Sequence, residues 1–122
     1  DKTVTTALSD YFAALASCYT NKETPAGCFL VNTSATLAAS SKEVARMLKS
    51  RHAQQEETLR AFLDKRQQCG EIPVSKNTEE LAQFLSCILR GMSITAREGA
   101  SYDTLMQISA TTLRLWPEML KD

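Results

Sequence analysis

Hydrophobic positions recur at helical spacing along nearly the whole chain. Val4, Leu8, Tyr11, Leu15 and Cys18 succeed one another at steps of four, three, four and three residues, one face of a helix over about residues 3–19. Asn21 to Ala26 reads as a loop. Within it, Thr24 followed by Pro25 suits an N-cap with proline in the first turn, where its missing N–H costs nothing, and a short apolar helix over about 26–39 comes next. Ser40-x-x-Glu43 is a capping-box pattern that opens the longest segment, 41–69, closed by Gly70 as a left-handed C′ residue. The stripe of that segment runs Leu48, His52, Gln55, Leu59, Phe62, Arg66, Cys69. Asn77-x-x-Glu80 opens a helix over 78–98 that stops at Gly99, and Ser101 caps a last one over 102–121. No hairpin signal, repeat or low-complexity tract interrupts the series. The pattern predicts an all-α domain of five helices spanning residues 1–122.

The last two helices carry more apolar surface than one subunit can cover. Gln83, Ser86, Arg90, Ser93 and Arg97 form a narrow polar stripe on the first, and Leu81, Phe84, Leu85, Cys87, Ile88, Leu89, Met92 and Ile94 take most of the rest. The second repeats the pattern, with Asp103, Gln107, Thr111, Arg114, Glu118 and Lys121 polar. A surface helix needs an apolar face only about 100° wide or somewhat more. Each of these helices is therefore expected to pack inward on one flank and against a second copy of the chain on the other, giving a four-helix bundle across a two-fold axis. Phe84, Ile88, Gly91, Met92, Leu105, Ile108, Leu115 and Trp116 are the candidate interface residues. Gly91 fits close helix approach, which offsets the ~1 kcal/mol a mid-helix glycine costs against alanine; the alternative is that it relieves crowding inside the subunit. Pro117 removes one i→i−4 bond and should kink or fray the end.

Charge narrows the function classes. The chain has 122 residues with 14 Lys+Arg and 14 Asp+Glu, so it carries no basic footprint for nucleic acid or anionic membrane. No apolar run approaches the ~18 residues of a membrane span. Cys18, Cys28, Cys69 and Cys87 include no Cys-x-x-Cys pair. They read as reduced core thiols, hence a cytoplasmic protein, with two disulfides in a secreted helical signalling protein as the alternative. No Gly-x-Ser-x-Gly, His-Glu-x-x-His or phosphate loop is present, so no enzyme and no cofactor are predicted. His52 is the one histidine, with Glu56 alone at a ligand spacing, which is too little for a metal site.

Polar residues that interrupt apolar stripes are the candidates for ligand contact, because small-molecule pockets are mostly apolar with a few placed polar groups. Asn32, His52 and Gln55 are such residues, and Tyr11, Phe12, Leu15, Phe62 and Phe84 are candidate walls. Four have a structural alternative: a local backbone cap for Asn32, a half-exposed helix position for His52, core for Tyr11 and Phe12. Gln54 to Glu57 otherwise reads as a solvated face.

Gly27-Cys28-Phe29-Leu30-Val31-Asn32-Thr33 resembles the Gly-Cys-x-x-x-Asn segment in the C-terminal domain of many TetR-family transcriptional repressors. The continuation is similar too: a capped long helix, the connection from Gly70 to Pro73, the run from Leu81 to Gly91, and Gly99. The resemblance covers about residues 5 to 116. Thr36 departs from it, standing where an acidic residue is expected, and no ligand role is carried over to that position. The resemblance implies a homodimer built on the last two helices, in agreement with their apolar excess. It also implies a helical cage for a small, largely apolar effector, and contact with DNA only through an N-terminal helix-turn-helix domain that this chain does not include. A thiol-switch version of the same domain, with cysteine oxidation as the signal, is a second expectation.

Overall fold

The computed structural model describes residues 2–21 and 42–121, without the side chains of 42–49 and 51. It shows four helices among the described residues: α1 (Val4–Tyr19), α2 (Lys42–Gln68), α3 (Thr78–Arg97) and α4 (Tyr102–Met119). The fifth expected helix, over 26–39, lies outside the described residues, as do Cys28, Asn32 and Thr36. The remaining boundaries fall within one or two residues of those the capping signals predict.

The caps form as their sequences dictate. Thr3 accepts a bond from the Thr6 amide at 3.1 Å, Asn77 from Glu80 at 3.1 Å and Ser101 from Thr104 at 3.2 Å. Each satisfies one of the amides left without a partner at a helix start. Gly70 and Gly99 take φ of 89° and 105°, the left-handed conformation that closes α2 and α3 without a Cβ penalty. Pro117 lies in the last turn of α4, and the helix ends two residues later.

Helix α1 packs on α4 and α3, α2 packs on α3, and α3 contacts α4. Leu8, Phe12, Leu63, Leu85, Leu89, Met92, Leu105 and Trp116 fill the centre, each at most 1% exposed. Ile72, from the connection between α2 and α3, is buried among them. The buried stripe of α1 is Val4, Leu8, Phe12, Ala16 and Tyr19. The helix is thus rotated from the predicted stripe: Tyr11 and Leu15 are half-buried and Cys18 is exposed, because Phe12 offers more apolar area to the core.

Helices α2 and α3 run antiparallel in a register fixed by polar contacts. Arg60 pairs with Glu79 at 3.4 Å, Thr78 donates to Asp64, and the Gln67 amide donates at 2.9 Å to the carbonyls of Pro73 and Lys76. A second set ties the start of α1 to the turn after α2. Glu71 accepts from the Val4 amide at 2.9 Å and from Arg66 at 2.5 Å, and Arg66 also donates to the Lys2 carbonyl at 2.6 Å. Arg66 therefore holds the Glu71 carboxyl below its ordinary pKa, with the Val4 bond adding to the effect.

Candidate ligand cavity and association face

Two regions stand apart from the packed centre. The first is an apolar cavity of about 180 Å³ in the seam between α1 and α2, lined by Ala7, Leu8, Tyr11, Thr58, Leu59 and Phe62. Tyr11 and Phe62 reach it from the two helices because each lies one step aside from the buried stripe of its own helix, next to Leu8 and Leu59. Arg66 lies over the Phe62 ring, 5.1 Å from its centroid, a cation–π contact that pins the ring at the cavity edge. Gln55 lies one turn along α2 from Leu59 and is half-buried, near the cavity but not in its lining.

The remaining expected wall residues lie elsewhere. Phe12 is fully buried in the central core and lines no part of this cavity, its apolar ring being better satisfied between helices than beside a void. Leu15 packs against the core from a half-buried position. Phe84 is 40% exposed on the outer face, where it belongs with Ile88 and not with the cavity. Ala7, Leu8, Thr58 and Leu59 line the cavity although no polar interruption of a stripe marks them. Their spacing, one turn before Tyr11 and Phe62 on the same helices, is the available signal.

The second region is a shallow groove between α3 and α4 on the outer face. Phe84, Ile88, Ile108 and Leu115 are its apolar lining, with Thr104, Gln107, Thr111 and Thr112 between them. Leu115 is 54% exposed and Phe84 40%, large values for such side chains. Gly91 belongs to the same face, and a Cβ built on it meets no atom within 4 Å. Crowding inside the subunit therefore does not explain that glycine. Met92, Leu105 and Trp116 need correction as interface residues. They are at most 1% exposed and belong to the subunit's own core, because both helices present their longest apolar side chains inward as well as outward. Ile94 and Tyr102, 46% and 41% exposed, are further apolar residues of these helices that stand outward.

The cysteines also need correction. Cys18, Cys69 and Cys87 are exposed and not core residues, and Cys69 and Cys87 are unbridged, which leaves no second pair for the two-disulfide alternative. Among the described residues no group of His, Cys, Asp and Glu is arranged to hold a metal ion, and no helix is long and apolar enough to cross a membrane.

The described residues thus form an all-helical domain with a seam cavity between one pair of helices and an uncovered apolar face on another. The chain belongs to the family of tetracyclin repressor-like C-terminal domains, whose model matches residues 5–108. It is a family of transcriptional regulators, not of enzymes. Over 121 residues the chain is 59% identical to the HTH-type transcriptional repressor ComR of Escherichia coli strain K12. The match takes in 99% of this chain and 58% of ComR, so the chain spans well under two thirds of that relative. Solved structures of cysteine mutants of the TetR family transcriptional regulator CifR, bound to 26-bp double-stranded operator DNA, share the fold. They superpose with a TM-score of 0.87 at 22% and 21% identity, over 96% of this chain and 61% of theirs.

Proposed function

We propose that this chain is the dimerisation and effector-sensing domain of a transcriptional repressor. The observation that carries the reading is the outer groove of α3 and α4, where Phe84, Ile88, Ile108 and Leu115 stand beside an unobstructed Gly91. A second copy of the same face, turned by a two-fold rotation, covers these side chains and builds a four-helix bundle. The effector is a small molecule with an apolar body, and the seam between α1 and α2 at Tyr11 and Phe62 is one part of its cage.

In the whole repressor, the dimer carries two DNA-reading heads whose spacing must match successive major grooves ~34 Å apart. The Arg66–Glu71–Val4 clamp ties the entry of α1 to the α2–α3 connection, so a shift of α2 on ligand binding moves the point where the preceding domain joins. A coupling of about 1–3 kcal/mol is enough to release an operator. A repressor of this kind works where the DNA is, in the cytoplasm.

The two halves of the reading are tested separately. Ile88→Glu places a charge in the bundle and should convert a dimer to a folded monomer in sedimentation; a variant that still dimerises overturns the face. A thermal-melt screen of neutral apolar compounds tests sensing, with Gln55→Leu expected to alter the stabilising set and leave the dimer intact. Absence of any stabilising compound overturns the sensing half.

A further inference from the structure

The middle of the polar stripe of α3 turns inward, while Gln83 and Arg97 at its ends are exposed. Ser86 and Ser93 are fully buried, and Arg90, one turn from each, is only half-exposed. The register of α2 and α3 sets the residue opposite. Twelve positions back from Asp64 and twelve forward from its partner Thr78 lie His52 and Arg90, at the same level of the antiparallel pair. His52 is on the α2 stripe of Leu59 and Leu63, two turns beyond Leu59, and is half-buried. The Arg90 guanidinium is near enough that, after burial itself, it is the second cause holding the His52 imidazole below its ordinary pKa.

These groups are left unsatisfied. His52 Nε2 and Arg90 Nε are both buried without a hydrogen-bond partner among the described residues. Among the described residues, the one side-chain bond of Arg90 is from Nη2 to the Ser86 hydroxyl at 3.3 Å, a neutral acceptor. Among the described residues Arg60 and Arg66 have carboxylates within ion-pair distance, and Arg90 has none. A guanidinium cannot shed its proton, and a partly buried cation without a counter-charge is costly. Arginine Nε and Nη present the side-on fork that matches the two oxygens of a planar carboxylate.

We propose that His52, Arg90 and Ser86 form the recognition point for a carboxylate carried on an apolar body, which makes the effector an organic anion. This rests on the sensing function proposed for the domain and adds the chemical class of what is sensed. The carboxylate takes Arg90 Nε and Nη2 on one side and an Nε2–H tautomer of His52 on the other.

The single histidine makes the test direct, because one imidazole gives one set of nitrogen resonances. Benzoate, benzyl alcohol and inorganic phosphate are titrated into the intact chain while His52 is followed by nitrogen-detected NMR. Benzoate should move the His52 resonances and bind at least about tenfold more tightly than benzyl alcohol, the factor a charge-assisted hydrogen bond supplies. Arg90→Gln should abolish that preference, and Arg90→Lys, which keeps the charge and loses the fork, should retain part of it. Should Arg90→Gln fail to fold, Arg90→Lys and Ser86→Ala carry the comparison. Equal affinity for benzoate and benzyl alcohol overturns the anion site and leaves apolar sensing standing. Response to phosphate alone, or to none of the three, also overturns it, whereas failure of sensing as such is read in the neutral-compound screen.

Discussion

Truncating Leu115 to alanine tests the association face with the least disturbance to the subunit. Leu115 is 54% exposed, whereas its neighbour Trp116 is 1% exposed and holds α4 in the core, so the truncation removes outward surface only. Burying a whole leucine side chain stabilises by about 1.5–3 kcal/mol. About half of Leu115 remains to be covered, which gives ~1 kcal/mol per subunit on association. A two-fold interface contains each residue twice, so Leu115→Ala should weaken the dimer by about 2 kcal/mol, near thirtyfold in its dissociation constant. Val74 is the matched control: it is 90% exposed but sits in the connection between α2 and α3, outside the groove. Sedimentation equilibrium over a dilution series measures both. Val74→Ala should leave the dissociation constant unchanged, and thermal melting should show both variants folded. Equal weakening by the two substitutions, or none by Leu115→Ala, would refute the placement of the interface on α3 and α4.

Three further outcomes concern the interior and the clamp. Leu89→Ala empties a fully buried position and should cost about 2–5 kcal/mol of unfolding free energy in denaturant titration, since α3 meets α1, α2 and α4 around it. Stability should also fall as pH drops below the ordinary histidine value of 6.5, because burial and then Arg90 depress the folded pKa of His52 and the unfolded chain binds the proton first. The loss ends once pH passes the folded pKa, and His52→Gln should flatten that part of the curve; an unchanged slope counts against the depressed imidazole. Glu71→Gln removes the charge that Arg66 and the Val4 amide share, so hydrogen exchange should quicken at Val4 while the amides of α3 keep their protection. Because Glu71 is held below the usual carboxylate pKa, its contribution is present above that range and lost as pH falls through its folded value.

Much of the frame is legible in sequence because helix ends are local chemistry. Thr3, Asn77 and Ser101 cap helices through their own side chains, and Gly70 and Gly99 stop them through a conformation few other residues adopt. What a residue faces is a tertiary matter, and there the pattern tells only part. Phe12 and Tyr11 are neighbours on α1 with similar rings, and only packing against α3 and α4 decides that the first is core and the second lines a cavity. Ile72 escapes notice because one apolar residue in a short connection has no periodicity to betray it. Met92, Leu105 and Trp116 look outward on apolar excess alone, which counts how much surface two helices must bury and not which side chains turn which way. The stripe of Ser86, Arg90 and Ser93 shows the same limit from the other side. A narrow polar stripe on an otherwise apolar helix reads as the solvent edge, yet Ser86 and Ser93 are buried and Arg90 half-buried, and only Gln83 and Arg97 at its ends are exposed.

Native mass spectrometry of the purified chain at micromolar concentration tests the central claim most directly. The account predicts a dimer that survives transfer to the gas phase and is lost on Ile88→Glu substitution. A wild-type chain that remains monomeric across that range would contradict the α3–α4 bundle, and with it the dimerisation half of the proposed function.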